Sequence, residues 1–114
     1  MVPSMLLSTD IWVGALIRRV EIGGGFAMVV RKGDPRAGAV LVKVVNRSDR
    51  TCRLLSEATK GDGDRIWMEP VASRTEADLD RYIERAARVD PDVWVVEIED
   101  RDGRHFLVEP VEKG

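Results

Sequence analysis

The sequence predicts a single α+β domain, a mainly antiparallel sheet of five to six strands with two helices in the order α-β-β-β-β-α-β-β. Three observations lead there. The 114 residues make one ordinary domain. Two stretches carry apolar residues at helical spacing. Between and after them the apolar period falls to two, β-branched residues dominate, and turn clusters recur every dozen residues or fewer. Residues 1–9 read as an N-terminal arm, 10–109 as the domain and 110–114 as a tail.

The first helix is predicted over Asp10–Glu21, where Trp12, Val13, Leu16, Ile17 and Val20 recur on one side after the capping residues Ser8, Thr9 and Asp10. Gly23, Gly24 and Gly25 stop it, and Arg18 and Arg19 suit the negative end of its dipole. Four strands follow, Phe26–Lys32, Ala39–Asn46, Thr51–Ala58 and Arg65–Val71, joined by turn-rich segments at 33–38, 47–50 and 60–64. Ala39–Val45 is apolar on both faces and should be central, covered above and below. A second helix is predicted over Glu76–Val89, with Leu79, Tyr82, Ile83 and Ala86 facing inward and Asp90-Pro91-Asp92 ending it. Val93–Glu99 is the strongest strand, and Arg101-Asp102-Gly103 turns it into a short return strand at His105–Val108. Two short helices leave part of such a sheet bare, which would suit a protein partner or a second copy of the chain.

Charge and composition exclude several functions. A net charge of −2 gives no polyanion signal, so nucleic-acid binding would need a local basic patch. The lone Cys52 forms no internal disulfide and no Cys/His cluster offers a zinc site, which fits a reducing cytoplasm. Met1–Leu7 lacks a basic leader and Ile11–Ile17 is stopped by arginines, so neither a signal peptide nor a membrane anchor is expected. A cysteine nucleophile or a Ser-His-Asp triad would have to recruit His105, the only histidine, from a distance.

Most apparent motifs reduce to structure. Gly33-x-x-x-x-Gly38 has phosphate-loop spacing, but Ala39 replaces the lysine and a strand follows, so a hairpin turn is expected. Asp100-x-Asp102-Gly103 lacks the later ligands of a calcium loop and reads as a tight turn, as does Asp62-Gly63-Asp64. Trp12, Trp67 and Trp94 sit in inward registers.

Two constellations keep chemical content. Glu97 and Glu99 share one side of their strand about 7 Å apart, with Asp92 upstream, and could hold a divalent cation in a metal-dependent nuclease or hydrolase. Such sites usually carry lysine where Glu99 stands. Arg81, Arg85 and Arg88 form a stripe on the second helix that could bind phosphate or nucleic acid, although Asp78 and Glu84 are placed to neutralise it.

Beyond these, the chain resembles a family of short bacterial proteins known only as a domain of unknown function. The resemblance runs from about Ile11 to Phe106 and rests on Trp12-Val13-x-Ala15-Leu16-x-Arg18-Arg19, Gly33-Asp34, Gly38-Ala39-Val40-Leu41-Val42-Lys43-Val44, Trp67 and Asp90-Pro91-Asp92-Val93-Trp94-Val95-Val96-Glu97-Ile98-Glu99-Asp100-Arg101. It implies a bacterial cytosolic protein and carries no activity, cofactor or catalytic residue. The expectation is a small non-enzymatic interaction or regulatory module without a cofactor. The carboxylates Asp92, Glu97 and Glu99 and the arginines Arg81, Arg85 and Arg88 are the alternative sites.

Overall fold

In the computed structural model the described residues are 7–61 and 63–112. Most of the expected N-terminal arm, Asp62 of the 60–64 turn and the last two residues lie outside them. β2 (Val40–Asn46) is buried on both faces at its apolar positions, which makes it central, as its composition requires. The helices α1 (Thr9–Ile22) and α2 (Glu76–Val89) form where expected. So, within a residue or so, do β1 (Phe26–Arg31), β3 (Cys52–Thr59) and β5 (Trp94–Asp100), while β4 (Arg65–Met68) ends three residues before the expected Val71.

The sheet is mixed and not purely antiparallel: three of its strand pairs are antiparallel and two parallel, with strand order β1-β5-β2-β3-β4 and a sixth strand, β6 (Val111–Glu112), at the far edge. β5 runs antiparallel to β1 but parallel to β2, and β6 runs parallel to β4. The reason lies in β5 itself. Trp94, Val96 and Ile98 fill one core while Val95 fills the other, so this strand needs neighbours on both sides and cover on both faces. It takes the place between β1 and β2.

The 33–38 segment is therefore not a hairpin turn. It is a loop that passes the start of β5, and its two glycines are there because a Cβ at either would overlap the Asp92 carbonyl oxygen. The Trp94 indole donates to the Asp34 carbonyl at 2.7 Å, and the amides of Thr9 and Asp10 donate to the carbonyls of Arg36 and Pro35 at 3.1 and 2.9 Å. The loop thereby supplies acceptors for two of the orphan amides at the start of α1.

The expected strand at His105–Val108 is irregular backbone. Phe106 sits in the left-handed region with φ 61°, Arg19 Nε donates to its carbonyl at 3.0 Å, and Leu107 is buried. The chain crosses beneath α1 there and reaches β4 only at Val111, inside what the sequence marked as a tail.

Two cores result. Trp12, Val13, Leu16 and Val20 of α1 pack on Val40, Val42, Val44, Leu55, Val96 and Ile98. On the opposite face, Leu79 of α2 packs with Leu41, Cys52, Leu54, Val93 and Val95.

Candidate functional site

The three carboxylates proposed for a metal do not converge. Glu97 and Glu99 do share the α2 side of β5, as strand alternation requires. Asp92 lies exposed in the turn before that strand, where its amide donates to Asp90. Five residues of extended chain separate it from Glu97 by about 16 Å. Among the described residues no three His, Cys, Asp or Glu side chains are placed to hold a metal ion.

A lysine occupies the position beside Glu97 instead. Lys43 stands directly opposite Glu97 in the parallel β2–β5 register, and it is only 5% exposed. Its Nζ lies 2.6 Å from Glu76 Oε2, 2.9 Å from Asp80 Oδ1 and 3.4 Å from Glu97 Oε1. Burial opposes its charge, but the hydrogen bonds it donates to Glu76 and Asp80, with the charge of Glu97, outweigh burial and raise its pKa. An ammonium held this firmly is no general base. It fastens the N-terminal turn of α2 to the sheet.

Arg81, Arg85 and Arg88 are exposed on the outer side of α2. Arg81 pairs with Asp78, and Arg88 lies 3.8 Å from Glu84. With Tyr82, Val71 and Arg85 these side chains line an open groove of about 540 Å³. The internal pairs leave Arg85 as the stripe's one cation with no ion pair among the described residues.

Cys52 and His105 do not form a nucleophile pair. The thiol is buried in the α2-side core, and burial raises its pKa. His105 lies against Arg53, whose neighbours on β3 put it on the other face of the sheet. Its Nδ1 accepts the Leu107 amide at 2.9 Å, and burial followed by the Arg53 charge lowers its pKa.

What the molecule leaves uncovered is β1. This edge strand places Phe26 and Met28 on the α2 side, opposite Glu99 and Glu97, where α2 does not reach; they are 50% and 45% exposed. Val29 and Val30 are exposed too, and Val30 is the extra residue of a β-bulge between Val29 and Arg31. The bare patch was expected from the count of helices, but its residues could be named only once β1 was known to be an edge.

Residues 7–108 match the profile of DUF1491, a family described as proteins of unknown function. The chain belongs to the DUF1491 family. A DUF1491 family protein from Caulobacter crescentus CB15 is 75% identical, and its crystal structure superposes with a TM-score of 0.92 over 94% of this chain and 100% of that one. An NMR structure of a Caulobacter crescentus CB15 DUF1491 family protein, also 75% identical, gives 0.88 over 94% of this chain and 97% of that one. Protein Atu0922 from A. tumefaciens, solved in solution, is 35% identical with a TM-score of 0.75, covering 90% of this chain and 95% of that one. No curated protein matches. The DUF1491 relatives are thus bacterial, and the family carries no assigned function. Among the described residues no helix is long and apolar enough to cross a membrane.

Proposed function

We propose that this DUF1491 protein is a small non-enzymatic interaction module of the bacterial cytoplasm, and that its docking surface is the β1 edge, taken by a second copy of the chain. The observation that carries the reading is an edge strand with Phe26, Met28, Val29 and Val30 all exposed. Such an edge presents unpaired backbone amides and carbonyls beside apolar side chains, which is the pattern that another strand completes. The charges favour self-pairing in the antiparallel sense. Arg31 and Lys32 lie at one end of β1, while Glu99, opposite Phe26, and the exposed Glu21 lie at the other. A two-fold axis near Met28 would bring each basic end to its partner's acidic end and merge the Phe26–Met28 rows on one face.

The Val30 bulge limits the paired length to about four residues, so the dimer is weak and reversible. Sedimentation equilibrium over a wide concentration range tests this. The native chain should move toward dimer at high micromolar concentration, whereas Met28→Lys should stay monomeric with an unchanged melting temperature. A native chain that remains monomeric at millimolar concentration, or a Met28→Lys protein that still dimerises, overturns the proposal. The buried, unpaired Cys52 suits a reducing compartment.

A further inference from the structure

We infer that the polar pocket at the carboxyl ends of β2 and β5 is a binding site for a small oxyanion of the phosphate class. Because these strands are parallel and in register from Val40–Trp94 to Asn46–Asp100, they end together. Carboxyl ends of parallel strands are where open sheets with helices on both faces gather ligand-binding loops. Here the two following loops are tied side by side: the Arg47 amide donates to the Asp100 carbonyl at 2.9 Å, and Ser48 Oγ donates to the Arg101 carbonyl at 2.6 Å. The start of β3 reaches the same end, and the Cys52 amide donates to the Arg74 carbonyl at 2.9 Å, bringing the segment before α2 alongside.

The resulting cavity is about 190 Å³ and is lined by Asn46, Thr51, Arg53, Arg74, Asp102 and Gly103 among others. That is below the size of sites for drug-like molecules and suits a phosphoryl-sized group. Arg53 and Arg74 share one largely buried carboxylate, Glu69, at 3.3 and 3.5 Å, so the trio keeps a positive charge. Arg53 Nε is buried with no hydrogen-bond partner among the described residues, a donor in want of an acceptor. The Asn46 carbonyl oxygen Oδ1 accepts the amides of Ser48 and Asp49 at 2.9 and 3.3 Å, which fixes the side chain and leaves its NH₂ as a donor beside Gly103. A side chain at Gly103 would crowd that NH₂ group.

Asp102 opposes an anion. It is outweighed at the rim, where Arg47, Arg50 and Arg101 are exposed and form no ion pair among the described residues. Beside them the carboxylate of Asp49 is engaged locally, accepting Thr51 Oγ1 and the Thr51 amide.

Amide NMR of the full chain, titrated with inorganic phosphate at constant ionic strength with chloride as control, tests the assignment. Saturable shifts at Asn46, Thr51, Cys52 and Gly103 are expected. Arg74→Gln, at a half-exposed position, should weaken them about tenfold, the effect of removing one charged donor. Glycerol phosphate distinguishes the source of the group: binding as tight as inorganic phosphate marks a phosphate ester as ligand, and binding only of the inorganic ion marks free phosphate. The absence of saturable shifts, shifts unchanged in Arg74→Gln, or shifts confined to Arg81–Arg88 would overturn it.

Discussion

Two helices of 14 residues cover the two faces of this sheet, and they close them by different means. α1 buries Trp12, Val13, Leu16 and Val20, and its Trp12 ring stacks on Trp67 with centroids 5.6 Å apart. α2 buries only Leu79 completely; Tyr82, Ile83, Ala86 and Ala87 pack against the same core only partly buried, and the Lys43 ion-pair cluster adds a polar hold at its N-terminal turn. One face is sealed by apolar area. The other is held by a thinner apolar contact and a pin of ion pairs, and the sheet beyond it, from Glu97 and Glu99 out to Phe26 and Met28, stays open. A strongly amphipathic helix spends its outer face on charge, and whatever it does not cover becomes the surface available to partners.

Core truncation should show this contrast most strongly. Trp67→Ala removes a fully buried ring from the sealed face and should cost about 3–5 kcal/mol, whereas Leu79→Ala, on the face that solvent partly reaches, should cost about 2–3 kcal/mol. Urea denaturation measures both, and equal losses would break the contrast.

Each face also buries one charge, and acid separates them. Asp100 is buried on the α1 side of β5, and the hydrogen bond from the Arg104 guanidinium, together with the amides of Arg104 and Asp102, overcomes burial and holds its pKa at about 2, below the ordinary 3.8. A carboxyl with a depressed folded pKa stabilises the fold above its unfolded value and loses that contribution as pH falls toward the folded one. Stability should therefore drop by about 1–2 kcal/mol between pH 4 and pH 2 from this group. Asp100→Asn should be less stable at neutral pH and show a shallower loss over that window in acid titrations followed by circular dichroism.

The last effect belongs to the pin. Lys43→Met removes the buried cation but leaves its carboxylates; Glu76 and Asp80, more than half exposed, turn to water, whereas Glu97, 20% exposed, loses its counter-charge, so the variant should lose about 1–2 kcal/mol. Added salt should stabilise the variant more than the parent, because the carboxylates then repel one another across water. A loss as large as that of Leu79→Ala would mean that the cluster, not the apolar contact, carries the α2 side.

Local pattern made most of this legible. Both helices end within a residue or two of where caps and glycines place them, and the shared face of Glu97 and Glu99 follows from alternation. What stayed hidden was non-local. Nothing near β1 or β2 announces that a strand more than fifty residues later separates them, so the Gly33–Gly38 loop read as a hairpin. The Lys43–Glu97 pair depends on the same register, although one lysine amid Val40-Leu41-Val42 and Val44-Val45 is itself a signal that an acid must lie nearby. His105–Val108 alternates like a strand, but Phe106 takes a left-handed conformation that no periodicity reveals. The oxyanion pocket is assembled from three loops and has no sequence motif at all.

The position of β5 also sets a clock for the nascent chain. Until a ribosome has made β5, β1 and β2 have no strand to bridge the gap between them, and the central row of the sheet is missing. The strand that completes it is made after β1, β2, β3, β4 and α2, so cooperative folding of the sheet waits until β5 has emerged. A chain cut before Trp94 would present the unpaired edges of β1 and β2 together, a species suited to chaperones or proteases rather than to a stable half-domain.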